Sequence, residues 1–187
     1  MSSHPSSGFR LVIRQQPRQA RLCSFKEKVD RRPIDPPPII QIVSDDSVSE
    51  GHTQHFLQSP YYFMFASLVT PDTMEEINFI NENRTTAGTV VQSLFRLKDI
   101  DNQDGGFFIF PDMSVRIEGH FRLKFSLFQI VGRSVLHLTS IHSDTFRVFS
   151  PKAFPGMSES TFLTRSFSDQ GVRIRIRKEN RVNSGKR

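Results

Sequence analysis

The chain has 187 residues, with 18 Phe, no Trp and one cysteine, Cys23. That length allows one large domain or two small ones, and a single β-sandwich is ordinary at this size. No run approaches the ~20 consecutive apolar residues of a membrane-spanning helix, and a lone cysteine excludes an internal disulfide and points to a reducing compartment.

The net charge of +6 is unevenly placed. Residues 1–32 hold eight Lys and Arg against two Asp and Glu, and residues 173–187 hold seven against one. The body between them is acidic, with ten against sixteen. Two short basic segments flanking an acidic body read as a footprint for a polyanion, whereas a solubility charge would be spread more evenly.

In chain order, residues 1–8 are small and polar and are expected to be disordered, with no apolar segment of the kind a signal peptide carries. Phe9 to Arg14 alternates apolar and polar with the period of a half-buried strand. Pro17 bends the chain, and a loop follows that carries Arg18, Arg21, Lys26, Lys28, Arg31 and Arg32, opposed only by Glu27 and Asp30. The prolines at 33 and 36–38 stiffen the chain between this loop and a strand at Ile39–Val43. Two readings of the proline run stand: a strut, or a polyproline ligand for a partner domain.

Residues 44–59 form a polar, acidic loop, and Pro60–Val69 is a strand buried on both faces. Thr70 or Asp72 as cap, with Glu75 and Glu76 in a first turn, predicts a short helix over Pro71–Asn83. One strand is predicted over Thr89–Leu97, a turn over Asp99–Gly106, and short strands at Phe107–Phe110 and Ser114–Glu118. His120–Val131 and Val135–His142 make a hairpin about Gly132-Arg133, which Asp144–Phe149 extends. Ser158 or Ser160 caps a helix bearing Phe162, Leu163 and Phe167. In the final strand, Val172, Ile174 and Ile176 face inward, and Arg173, Arg175 and Arg177 line the opposite face. Like charges aligned this way repel one another and gain most from a nearby anion. Eight to ten strands with one or two short helices make the chain mainly β, and by pattern a β-sandwich.

Other constellations are bland. His52 and His55 lack a third ligand for zinc. Asp99, Asp101 and Asp104 miss the glycine and glutamate of a calcium loop and read as a turn. Cys23 is either a small buried residue at the base of the loop or a thiol sensitised by Arg21 and Lys26. No nucleophile with its base and orienting group is recognisable, so an enzyme is not expected.

The stretches RQQPRQARLCSFKEKVDRRPIDPPPIIQI, YYFMFASLV, GFFIFPDMSVRIEGHFRLKFSLFQI and KAFPGMSESTFLTRSFSDQGVRIRIRK resemble, in this order, the velvet domain of fungal developmental regulators. The resemblance runs from about Phe9 to Lys178 and is closest to the family's spore-viability branch, leaving residues 179–187 as a basic tail. It implies an immunoglobulin-like sandwich similar to the Rel-homology domain of NF-κB-type factors, which contacts DNA through loops at one end. It also implies a nuclear transcriptional regulator of fungal development, sporulation and spore viability, dimeric with itself or with another velvet protein, and no cofactor. The family's DNA-contacting loop carries over to Lys26, Lys28, Arg31 and Arg32. A likeness of RQQPRQAR to the recognition segment of Rel proteins adds Arg14, Arg18 and Arg21. On the chemistry of the groups, lysines hold phosphates and one or two of the arginines read base edges. The alternative is that Arg31 or Arg32 braces the loop through Asp30 or Asp35. A second functional reading is an interaction module whose basic surface meets acidic proteins and whose DNA affinity is incidental.

Overall fold

The computed structural model describes residues 8–25, 31–44 and 56–178. In chain order the strands are β1 (Phe9–Gln15), β2 (Gln19–Arg21), β3 (Ile39–Ser44), β4 (Tyr62–Val69), β5 (Phe79–Ile80), β6 (Asn83–Arg84) and β7 (Thr86–Gly88). They continue with β8 (Val91–Ser93), β9 (Phe95–Lys98), β10 (Asp104–Ile109), β11 (Met113–Val115), β12 (Gly119–Val131), β13 (Ser134–His142) and β14 (Phe146–Phe149), and the helix α1 (Phe162–Asp169) follows. One sheet has the order β1-β3-β10-β9. The other runs β2-β14-β12-β4-β8, with β13 also paired to β12. Pairing within both sheets is antiparallel, apart from the parallel contact of β14 with β2. The chain is mainly β, and its architecture is that of a β-sandwich.

The period-2 alternation decides which side chains fill the space between the sheets. Ile40 and Ile42 of β3 and Phe108 and Phe110 in and after β10 meet Met64, Ala66 and Leu68 of β4 and Leu123, Phe125 and Leu127 of β12. The Phe110 and Phe125 rings lie 5.3 Å apart across this core. The intervening residues of the first sheet, Ile39, Phe107 and Ile109, face outward into a second apolar cluster roofed by Phe167 of α1 and by Val172. Burial on both faces is why residues 107–110 are continuously apolar where an exposed strand would alternate.

Helix α1 begins where the side chain of Thr161 accepts from the Thr164 backbone N–H, so neither Ser158 nor Ser160, the two expected caps, holds that position. Its Thr164 hydroxyl accepts a 2.9 Å bond from the buried Gln15 amide of β1. The helix is capped at Gln170, and Gly171 just beyond it turns the chain with a φ of 96°, the left-handed conformation that side-chain-bearing residues avoid.

Three expectations change. The helix predicted over Pro71–Asn83 is a pair of turns and the β5–β6 hairpin. Met74, Asn81 and Glu82 take positive φ there, and the Ile77 N–H donates to Leu68 O at 2.8 Å. Pairing with β4 satisfies this backbone and outweighs the capping signals. The predicted strand 89–97 divides into β8, which joins one sheet, and β9, which joins the other. Residues 172–177 keep their inward-outward alternation but join neither sheet. They are tied back by Ser160 N–H to Arg177 O at 3.0 Å and Arg177 N–H to Ser160 Oγ at 2.9 Å.

Candidate nucleic-acid interface

Both ends of the basic loop are sewn to one short strand. The Cys23 N–H donates to Val115 O and the Ile34 N–H to Met113 O, each at 2.8 Å, and Ser114 Oγ donates to Arg32 O at 2.9 Å. Val115 and Met113 are two positions apart on β11, about 7 Å along a strand, while the chain runs from residue 23 to residue 34 between the two anchors. The other edge of β11 pairs with β7. The loop is therefore a closed excursion on a fixed base. The Arg116 guanidinium lies 5.3 Å from the centre of the Phe25 ring on one side of it.

The proline run is a strut. Pro36 and Pro38 are buried, Pro37 O accepts from Gln15 at 2.8 Å, and Pro38 O accepts from the Phe110 N–H at 3.0 Å. A polyproline ligand needs an open face, and none of the four prolines is exposed. Asp35, 3% exposed, accepts from the Gln19 amide at 3.0 Å and the Ser158 N–H at 2.7 Å. Arg31 is braced by Asp112: its guanidinium pairs with that carboxylate, at 2.7 Å, in the turn after β10. Gly88 makes room for that pair. It has a φ of +83°, and a β-carbon there would collide with the Asp112 backbone oxygen and the Arg31 guanidinium.

Lys26 and Lys28 lie outside the described residues, as do Asp30, His52 and His55. Arg31 and Arg32 open onto a cleft of about 510 Å³, whose far wall is Arg173, Arg175 and Arg177 and whose carboxylate is Asp112. Arg173 and Arg175 are exposed and Arg177 is half-buried. Burial pushes the Arg177 guanidinium down from its usual range; Asp35 opposes this, and Arg175 and Arg32 add to it by repulsion. Among the described residues, no carboxylate pairs with Arg173 or Arg175. The alternating arginines were visible in the sequence. Their meeting with Arg31 and Arg32 was not, because it depends on how α1 returns the chain across the first sheet.

The other candidate arginines do not line this cleft. Arg14 is held bidentately by Asp99, at 2.5 and 3.0 Å, and donates to Gln41 at 2.9 Å. Its side chain is 22% exposed, so it braces β1 against the turn after β9. Asp104 is likewise engaged, by Arg96 at 2.6 Å and Lys98 at 3.0 Å, and Asp101 accepts from the Gln103 N–H. These carboxylates are spent on building their own turn. Arg18 is exposed, with its backbone fixed between Asp35 and Arg147. Arg21 is half-buried on β2 beside β14. Cys23 is buried at the foot of the loop.

The sequence matches the family model described as Velvet factor over residues 9–87 and 81–181. It is 52% identical over 95% of its length to the spore development regulator RYP2 of Ajellomyces capsulatus. It is 48% identical over 97% to the spore development regulator VOSA of Pyricularia oryzae, and 44% identical over its whole length to a velvet complex subunit of Chaetomium globosum. It spans 45%, 36% and 42% of those relatives, respectively. A family match from Phe9 onward through both sheets and the arginine segment, with about half the residues shared along almost the entire chain, places this protein in the velvet factor family.

Proposed function

We propose that this chain is the DNA-binding part of a nuclear, non-enzymatic regulator of fungal development and sporulation, acting as a homodimer or paired with another velvet protein. The observation that carries the reading is the basic loop with both feet on β11, opening onto a cleft where cations outnumber carboxylates. Arg31 and Arg32 at the anchored end need little further ordering to meet an anion, and phosphate contacts supply a large share of a protein's affinity for DNA. Presentation of end loops to the duplex in the manner of a Rel-homology domain belongs to the same proposal. The developmental role draws its support from relatives named as spore development regulators, and the velvet partner from one named as part of a velvet complex.

The test is titration of specific and scrambled duplexes at two salt concentrations. Lys26→Ala with Lys28→Ala is expected to weaken binding to both and to flatten the salt dependence by almost two phosphate contacts, at a slope of about 0.9 each. Unchanged affinity in that variant would overturn the loop assignment. Equal affinity of the unaltered protein for specific and scrambled DNA favours the second reading, a module for acidic protein partners.

A further inference from the structure

We propose that Arg173, Arg175 and Arg177 form a second jaw of the nucleic-acid surface, gripping phosphates of the duplex backbone across the cleft from Arg31 and Arg32. This rests on the DNA-binding reading above and extends it from one loop to a two-sided clamp. The two sides come from opposite ends of the sequence, and each is fixed by its own scaffold. Ser114 holds the Arg32 carbonyl. Val172 and Ile174 pack into the cluster beneath α1, and Ser160 bonds both the N–H and the carbonyl of Arg177.

Among the described residues, five guanidiniums share the cleft with one carboxylate, Asp112, which is paired with Arg31. A guanidinium does not shed its proton near neutral pH, so the repulsion that Asp112 at Arg31 and Asp35 near Arg177 leave uncompensated is relieved by a bound anion. The planar fork of each arginine suits phosphate oxygens. Any phosphate has that chemistry, free or esterified. The duplex backbone is favoured because Arg173 and Arg175 are exposed at the mouth of the cleft, next to the anchored end of the basic loop, where a continuous strand of phosphates would reach both walls.

The experiment compares three double variants by fluorescence anisotropy on the same duplex across a salt series. They are Arg173→Ala/Arg175→Ala, Lys26→Ala/Lys28→Ala, and Arg96→Ala/Lys98→Ala as a charge-matched control on β9, away from the cleft. Arg173 and Arg175 are exposed, so unchanged melting of that variant is expected and is checked first. The arginine pair should lower affinity about ten- to hundredfold, equally for specific and scrambled DNA, and reduce the salt slope by about 1.8, two phosphate contacts. If it behaves like the β9 control while the lysine pair weakens binding, the second jaw is wrong and the loop reading survives. If the arginine pair weakens binding and the lysine pair does not, the jaw stands and the loop assignment falls. If neither pair matters, both fall. Titration with inorganic phosphate alone separates the sources: phosphate binding lost in the arginine variant, with DNA binding intact, would make the cleft a small-anion site and overturn the clamp.

Discussion

Arg14 shows how a residue's role is set by its partner. In the sequence it belongs to the same basic run as Arg18 and Arg21; in the fold it meets Asp99, 85 residues away, through two hydrogen bonds. Those bonds hold the Asp99 carboxyl below the usual carboxylate range, partly opposed by burial. A depressed folded-state pKa means that the stabilisation is fully present above the unfolded value, about 3.9, and is lost as the pH falls through the lower folded value. Asp99→Asn is therefore expected to cost about 2 kcal/mol at pH 7, from a charged hydrogen-bond pair that is largely shielded from water. Urea unfolding at pH 7 and pH 3 checks this. The difference between the two proteins should be full at pH 7 and smaller at pH 3, and an equal difference at both would contradict the assignment.

At the scale of elements, α1 covers the outward face of the first sheet by inserting one ring. Phe167 is fully buried, with its centroid 4.6 Å from that of Phe107. The backbone carbonyl of the same residue accepts from the Val172 N–H at 3.2 Å and so starts the arginine segment. Phe167→Ala leaves a void that neither the strand nor the helix can close, and is expected to cost about 3–5 kcal/mol. Amide hydrogen exchange should show residues 162–177 losing protection ahead of β4 and β12. Uniform loss across the molecule would mean that helix and sandwich unfold as one unit. The misread helix at Pro71–Asn83 belongs to this scale too. Its capping residues are real, but Glu76 is drawn to Lys124 of β12 at 2.8 Å and the backbone to β4. Local signals of a fraction of a kcal/mol yield to strand pairing plus an ion pair.

Across the whole molecule, the outer face of the second sheet is polar around Lys124 and Ser126 and apolar only toward the β12–β13 turn. Phe63 of β4 stacks on Phe128 of β12 with centroids 5.3 Å apart, and Ile130 and Val135 beyond them are exposed. We take this end of the sheet as the surface on which to test the pairing in the proposed function. Light scattering at micromolar concentration is expected to give the mass of two chains, and Ile130→Asp with Val135→Asp to give one, with little change in melting because both side chains are already exposed. A single-chain mass for the unaltered protein would count against the homodimer and leave pairing with a different velvet protein as the form to test.

By itself, the sequence determined the alternation along β1 and β12, the short buried strand at residues 107–110, and the concentration of cations before the proline strut and after α1. These follow from chain geometry, since a pleated backbone sends successive side chains to opposite faces wherever the strand ends up. The tertiary structure alone decided that Arg14 would be taken by Asp99 and Arg31 by Asp112, that one extended stretch would be shared between two sheets, and that Arg31 and Arg32 would face Arg173, Arg175 and Arg177. Such meetings depend on strand order and on where loops return. Coulomb attraction and repulsion act on distances in space, which the spacing of residues along the chain does not contain.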